Sequence, residues 1–271
     1  RAYWAVGKNC PNFGDMLTPY IIEKVSNSKV RICSRRCLKK YFTVTGSILG
    51  WTNKNAIIWG AGIITKDQKV KKPAEILAVR GPLTRDNLLR QGYSCPEIYG
   101  DAALILPLLF NPGTKKTYEL GIIPHYTDYE KIKRIVRDKS ILVINLLNPV
   151  EKVIEDINSC KNTISSSLHG IIVSHAYKIP SLWVKFSNNL TGDGTKFVDY
   201  FLSININPYQ AFDFENKEIK TSKITYLINS RKESLPEKID ISGFMRVCPF
   251  NKDKAARQAG SAEDFLRTLR P

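Results

Sequence analysis

The feature that most limits the fold of this chain is an alternation of short apolar segments with helical segments, which occurs twice along the sequence. Such alternation is typical of parallel sheets covered by helices, because a parallel strand is reached only through a crossover. The sequence therefore predicts an α/β protein with two Rossmann-like domains that face a cleft. In the first block, strands are expected at 3–6, 41–48, 56–62, 76–82 and 98–102, and helices at 16–25 and 83–91. In the second block, strands are expected at 119–123, 141–145, 163–165 and 181–186, and helices at 129–136, 150–159 and 195–202.

The segment between the two blocks has the composition of a linker. Asn111-Pro-Gly-Thr-Lys-Lys116 contains turn formers and charge but no apolar residue. We therefore predict an N-terminal domain over 1–111 and a C-terminal domain over 112–205, followed by a helical extension and tail over 206–271. One clear helix is expected at 222–232. The tail after Asn251 is richer in Ala and Arg, and is read either as an appended helix or as a non-native segment.

The charge balance is strongly basic. The chain has 41 Lys and Arg residues against 25 Asp and Glu residues, which gives a net charge of +16. Such a surface attracts nucleic acid, anionic membranes or phosphorylated small molecules. Nucleic acid is not expected as a partner, because no binding motif is recognised and the aromatic residues do not cluster with the basic runs.

The cysteines and the apolar runs indicate a cytoplasmic protein. Six cysteines are spread along 271 residues, which suits reduced thiols better than a disulfide framework. Cys33 and Cys37 lack a second pair, and no histidine has zinc-like spacing to them, so no metal site is predicted. The longest apolar run, 102–110, is far shorter than the roughly 20 residues that a membrane-spanning helix needs.

The strongest candidate for a functional site is the stretch that follows the expected strand at 163–165. Ser165, Ser166 and Ser167 form a turn into a helix that begins near Leu168 and ends before Pro180. The free amide groups of a helix N-terminus attract anions. His169 lies in that first turn, so the ring is expected beside an anion site. The alternative is that His169 only caps or packs the junction.

Other polar residues follow expected strand ends or helix starts. Arg80 ends the strand at 76–82, where ligands collect in open α/β sheets, so it either grips a carboxylate or phosphate or forms a salt bridge to the second domain. Asp101 lies in the next such turn. Asp15 lies near a helix start, where it either functions or simply caps the helix. Gly60 indicates that the backbone comes close to another element or to a ligand.

Six short motifs appear in the order seen in polysaccharide pyruvyltransferases, and the chain resembles that family from its N-terminus to about residue 205. The motifs are Asn12-Phe-Gly-Asp15, Val79-Arg-Gly-Pro-Leu-Thr-Arg-Asp86, Tyr99-Gly-Asp-Ala102, Ile123-Pro-His-Tyr126, Ser165-Ser-Ser-Leu-His-Gly170 and Lys196-Phe-Val-Asp-Tyr-Phe201. The resemblance implies a fold like that of the B-type (GT-B) glycosyltransferases. It also implies phosphoenolpyruvate as donor, a sugar of a surface polysaccharide as acceptor, and no other cofactor.

The resemblance also implies where the donor binds and how it reacts. His169 is expected to protonate C3 of phosphoenolpyruvate, and Arg80 to clamp an acidic group of the donor. Asp15, Asp101 or His125 is expected to orient or deprotonate the acceptor hydroxyls. Many members of the family carry arginine where this chain has Ser167, so Lys196, Lys185 or the serine amides must replace it. The full set expected to bind substrate is Arg80, Ser165, Ser166, Ser167, Leu168, His125, Lys196, Asn12 and Gly60.

Three other functions and a membrane partner follow from the same features. The nearest alternative is a glycosyltransferase that uses a nucleotide sugar, since fold does not fix function. A nucleic-acid-binding protein and a carbohydrate-binding module are the others. If the acceptor is lipid-linked, exposed cations at 29–40 and 66–72 are expected to hold the enzyme at the anionic inner face of the cell membrane.

Overall fold

The computed structural model describes residues 1–6, 12–188, 191–215 and 217–250. The strands of this part are β1 (Tyr41–Thr43), β2 (Ala56–Trp59), β3 (Glu75–Ala78), β4 (Tyr118–Ile123), β5 (Ile141–Val143), β6 (Cys160–Ser165), β7 (Ser181–Lys185) and β8 (Phe212–Asp213). The α-helices are α1 (Phe13–Ser26), α2 (Pro82–Arg90), α3 (Leu106–Leu109), α4 (Tyr129–Ile135), α5 (Val150–Asn158), α6 (Leu168–Ala176), α7 (Thr195–Ser203), α8 (Thr221–Asn229) and α9 (Ser242–Arg246).

The strands form two parallel sheets. The first has the order β1-β2-β3, and the second has the order β5-β4-β6-β7-β8. Single parallel bridges extend the first sheet, from Ala2 to Ile32 and Phe42 on one side and from Val79 to Tyr99 on the other. The predicted α/β class with parallel sheets is therefore confirmed. The domain limits at residues 111 and 205 remain predictions.

The first block contains shorter strands than the sequence predicts. The strand expected at 41–48 ends at Thr43, because Thr45 is drawn towards α1 and Gly46 turns the chain with a φ of 94°. The hydroxyl of Thr18 accepts the Thr45 amide at 3.3 Å. The strand expected at 3–6 is reduced to the bridge at Ala2.

The C-terminal part contains elements that the sequence pattern does not reveal. Strand β8 has two residues and α9 has five, which is too short for a periodic pattern. The helix expected at 222–232 is α8, and it ends three residues earlier, at Asn229. The predicted features of the tail after Asn251 lie outside the described residues. Among the residues that the structure describes, each helix is too short or too polar to span a bilayer.

A buried ion pair joins the first sheet to α7. The Arg80 side chain follows β3, and its Nε lies 3.0 Å from Asp199 Oδ2. Both side chains are fully buried. Asp199 also accepts the Thr84 amide at 3.0 Å and the Thr84 hydroxyl at 2.7 Å. The salt bridge that the sequence left open as an alternative role for Arg80 is thus present in the structure.

Two glycines make the space for this ion pair. A Cβ atom at Gly62 would lie 2.5 Å from the Arg80 Cζ, and a Cβ atom at Gly81 would overlap the carbonyl oxygen of Asp199. A larger residue at either position would push the helix and the sheet apart. Close packing against Asp199 therefore explains the glycine in the motif Val79-Arg-Gly-Pro82.

We expect Asp199→Ala to lower the free energy of unfolding by about 3 to 5 kcal/mol, because it leaves the buried Arg80 charge unpaired. Urea denaturation measures the change. The matched control is Glu119→Ala, which breaks an ion pair with Lys161 that is about half exposed on both sides. That change should cost less than about 1 kcal/mol. Equal effects of the two substitutions would contradict the structural importance of the Arg80 pair.

Candidate active site

The turn between β6 and α6 is held by serine hydroxyls. Ser165 Oγ donates to the Ile123 carbonyl at 2.9 Å and accepts the Ser167 amide at 3.0 Å. Ser166 Oγ accepts the amide of His125 at 2.8 Å. These bonds tie the end of β4 to the end of β6. The hydroxyls of Ser165 and Ser166 therefore shape the turn, and Ser167, the N-cap of α6, makes no side-chain capping bond.

His169 lies in the first turn of α6, as the sequence predicts, where three elements meet. A Cβ atom at Gly14 of α1 would overlap the ring at Nδ1 and lie 2.9 Å from Cε1, so the ring packs directly on that helix. On its other side, His169 Nε2 lies 3.7 Å from Asp101 Oδ2. The ring is therefore enclosed by α1, α6 and the turn after Gly100, which come from both blocks of the sequence.

The facing atoms of His169 and Asp101 are both buried and unpaired. Neither Nε2 nor Oδ2 has a hydrogen-bond partner among the described residues. The other carboxylate oxygen of Asp101 accepts the Ala103 amide at 2.9 Å, which fixes the orientation of the carboxylate. Buried polar atoms without partners are uncommon, since each carries a desolvation penalty. A contraction of less than 1 Å would convert this contact into a hydrogen bond.

Burial and nearby positive charge decide the protonation of His169. Its pKa is lowered to about 3, first by burial and then by the charges of Arg80 and Lys196. In the ligand-free protein the imidazole is therefore neutral at neutral pH. The role of His169 as an acid beside a bound donor remains a prediction. The sequence indicated a neighbouring anion, but it could not reveal how completely the ring is enclosed.

Burial has the opposite effect on the two carboxyl groups nearby, because it penalises their charged form. The pKa of Asp15 is raised to about 7. The pKa of Asp101 is raised to about 6 by burial and, less strongly, by Asp199, while the Ala103 amide and Arg80 act in the other direction. Two carboxyl groups that titrate near neutrality thus accompany His169.

Lys196 of α7 is the centre of a basic cluster. Burial, and then the charge of Arg80, lowers its pKa to about 8. The pKa of His125 is lowered by burial and then by Lys196, while Asp128 acts in the other direction. Since Lys196 also affects His169, the cluster comprises Arg80, Lys196, His125 and His169. Groups that repel one another in this way favour the binding of an anion.

The other residues expected to bind substrate lie in different environments. Asn12 is the N-cap of α1, and its side chain bonds to Asp15, so the helix start needs no cap from Asp15 itself. Leu168 is buried in the core. Lys185 pairs with Asp213 of β8 at 3.1 Å, so its charge is already compensated.

Gly60 and Arg80 make their close contacts with protein. With a φ of 99°, Gly60 would place a Cβ atom 2.8 Å from the Val44 carbonyl oxygen and 3.2 Å from the Ala102 amide. Its close approach is thus to other elements, which was the first of the two readings. Arg80 donates to Ser47 Oγ at 2.7 Å and to the Ile63 carbonyl at 2.7 Å, in addition to Asp199. Its contribution to the site is therefore mainly its charge.

Sequence reasoning missed the role of Asp199. The residue was part of a quoted motif but received no function. The available signal was its position between Phe197, Tyr200 and Phe201 in a helix that buries that face, since a carboxylate there needs a partner. In the described part of the chain, no three His, Cys, Asp or Glu side chains come together in a way that could hold a metal ion.

Comparison with known proteins gives two matches. The model of the polysaccharide pyruvyl transferase family matches residues 36–188. An uncharacterized protein of Acanthamoeba polyphaga mimivirus is 30% identical over 253 residues, which cover 85% of this chain and 88% of that protein. No solved structure matches.

We expect the imidazole of His169 to remain neutral from about pH 8 down to about pH 5 in the ligand-free protein, because its pKa is lowered to about 3. His175, which is also buried, has a pKa lowered to about 4 and should behave in the same way. NMR of the imidazole resonances measures this, since the chain has only three histidines. Single His→Gln variants assign them. A His169 resonance that titrates near pH 6.5, the ordinary value, would contradict the enclosed environment.

Proposed function

Because this chain belongs to the polysaccharide pyruvyl transferase family and is therefore a transferase, we propose that it transfers pyruvate from phosphoenolpyruvate to a sugar of a surface-polysaccharide precursor. The product is a cyclic pyruvate ketal, and phosphate is released. The observation that carries the proposal is that Ser166 Oγ holds His125 at the turn before α6, that His169 lies in the first turn of that helix, and that the charges of Arg80 and Lys196 are near enough to lower the pKa of His169. Phosphoenolpyruvate has a phosphate and a carboxylate, and both suit such a site.

The donor would bind between Lys196 and the first amide groups of α6. A helix N-terminus stabilises phosphate through its free N–H groups, and a partly buried ammonium adds a charged hydrogen bond. Lys196 would replace the family arginine at Ser167, and its lowered pKa and its effect on His169 support this assignment. Arg80 stays bonded to Asp199 and contributes its positive charge to the site.

Donor binding would also charge His169. In the ligand-free protein, burial, Arg80 and Lys196 keep its ring neutral. The bound anion compensates both cations and adds negative charge, and each effect raises the pKa of the ring. Asp101, 3.7 Å from Nε2, would then pair with the imidazolium and hold its orientation. The acid would thus form only when a donor is present.

The reaction removes one proton from each of two acceptor hydroxyls and delivers one proton to C3 and one to the departing phosphate. His169 transfers its proton to C3 of the enol, and positive charge develops at C2. One sugar hydroxyl adds to C2 and loses its proton, phosphate leaves, and a second hydroxyl adds and loses its proton to close the ring. Asp15, whose pKa of about 7 suits proton exchange at neutral pH, is the candidate base for the acceptor.

The rival function, transfer of a sugar from a nucleotide sugar, would use the same architecture. Stabilisation against heat by phosphoenolpyruvate, and not by nucleotide sugars, separates the two. We further propose a GT-B-like arrangement of the two sheets and a lipid-linked acceptor at the cytoplasmic face of a membrane. These proposals rest on the family resemblance and on the basic charge of the chain.

We expect His169→Gln to lower turnover by at least about 10²-fold, because general acid catalysis contributes about 10² to 10⁴. The assay is phosphate release from phosphoenolpyruvate with candidate glycan acceptors, together with the mass gain of the acceptor. Calorimetry should show that the variant still binds the donor, and urea denaturation that it is folded. A variant that retains about a tenth of the rate would show that another group is the acid.

We expect Lys196→Met to raise the KM for phosphoenolpyruvate by about 10- to 100-fold, the usual effect of losing a charged hydrogen bond. Lys185→Met is the matched control and should leave this KM unchanged, since Lys185 pairs with Asp213. Adding Ser167→Arg to Lys196→Met restores the arginine found in many members of the family and should lower the KM again. An unchanged KM in Lys196→Met would remove Lys196 from the donor site.

A further inference from the structure

The segment 29–40, called here the basic loop, connects the C-terminal end of α1 to the start of β1. It contains Lys29, Arg31, Arg35, Arg36, Lys39 and Lys40 and no acidic residue. All six side chains are exposed. Within the described residues, none of the six forms an ion pair. The loop is thus a concentrated and uncompensated source of positive charge.

Aliphatic side chains project from the same loop. Leu38 is 91% exposed and Ile32 is 52% exposed. The guanidinium group of Arg35, in the same loop, lies 4.8 Å from the ring centre of Trp51, which is itself exposed. A leucine exposed to this extent among cations gains nothing from folding, whereas it would gain from contact with an apolar phase.

The exposure of Leu38 is fixed by the structure around it. The side chain of Asn53 donates to the carbonyl oxygens of Arg35 and Cys37, each at 3.0 Å, and the side chain of Asn55 donates to Cys37 at 3.0 Å. The guanidinium of Arg35 donates to the Tyr3 hydroxyl at 2.9 Å. These bonds hold the turn immediately before Leu38, so the side chain is presented outward by a built loop.

We propose that the basic loop docks on an anionic lipid surface, with Leu38 and Ile32 inserted at the boundary of the acyl chains and the six cations facing the headgroups. Surfaces that combine exposed aliphatic residues with Lys and Arg bind membranes through both contributions. Nucleic acid would bind the cations, but it offers no apolar phase for the exposed side chains of Leu38 and Ile32. A base would need to stack on the ring of Trp51, which Arg35 already covers.

The second basic segment, 66–72, lacks this combination. Its cations are exposed, but Val70 is buried and Asp67 pairs with Arg90. Charge alone therefore does not distinguish the basic loop from the segment 66–72. The exposed side chains of Leu38 and Ile32 distinguish it.

The position of the loop is compatible with catalysis. Helix α1 has 14 residues, which corresponds to about 21 Å, and His169 packs near its N-terminal end while the basic loop follows its C-terminal end. The basic loop and His169 are therefore associated with opposite ends of α1. This inference deepens the proposed lipid-linked acceptor, yet vesicle binding can be measured without any substrate, so the two stand or fall separately.

The test is flotation of the full chain with phosphatidylcholine vesicles that contain or lack phosphatidylglycerol. We expect binding only to the anionic vesicles, weakening as salt is added. The variant Arg36→Glu/Lys39→Glu/Lys40→Glu should lower the partition coefficient at least about tenfold, since each cation near an anionic surface contributes measurably. Leu38→Ser should also lower it, but the binding that remains should keep its salt dependence.

The matched control reverses three charges in the second block of the sequence, away from the basic loop along the chain. Lys131→Glu/Arg134→Glu/Lys139→Glu changes three exposed cations near α4 and should keep vesicle binding within about twofold of the unchanged chain. Phosphate release with a soluble acceptor should be equal in all of these variants, which separates docking from catalysis. Absence of binding to anionic vesicles would overturn the inference. So would equal losses in the control and loop variants, or a Leu38→Ser variant that binds like the unchanged chain.

Discussion

The rest of the structure depends on one buried ion pair between Arg80 and Asp199. A charged pair without access to water persists only when its remaining donors and acceptors are satisfied, and here Ser47, Ile63 and Thr84 complete the set. The pair holds α7 against the first sheet. Lys196, three positions before Asp199 on the same helix, is near enough to His169 of α6 to lower its pKa. The ion pair therefore affects both the packing of α7 and the charges around His169.

The same ion pair sets the electrostatics of the proposed donor site. Arg80 cannot release its charge, and because it is fully buried that charge is poorly screened by solvent. After burial, it is the next cause that lowers the pKa of His169 and of Lys196 in the ligand-free protein. It also opposes the burial that raises the pKa of Asp101. Until an anion binds, this positive charge opposes the protonation of His169 and Lys196. The proposed coupling of donor binding to acid formation follows from this arrangement.

The serine turn illustrates how a local signal can be right about position and incomplete about role. The sequence placed His169 in the first turn of a helix after a strand, and the structure has β6 ending at Ser165 and α6 beginning at Leu168. The hydroxyl groups of Ser165 and Ser166, however, bond to the neighbouring backbone. The amides of Ser166 and Ser167 are also bonded, to the Ile123 carbonyl and to Ser165 Oγ. A ligand at this turn would therefore meet the first amide groups of α6 itself, together with Lys196 from another element.

The sequence by itself determined the parallel α/β class, the family and the place of His169 on α6, because strand alternation and short motifs are encoded within a few residues. Only the tertiary structure decided the partner of Arg80, the loss of the proton from His169 and the close approach of Asp101. Arg80 and Asp199 are 119 positions apart, so no local pattern could pair them. The protonation of a buried ring depends on everything packed around it, and that environment exists only after the chain has folded.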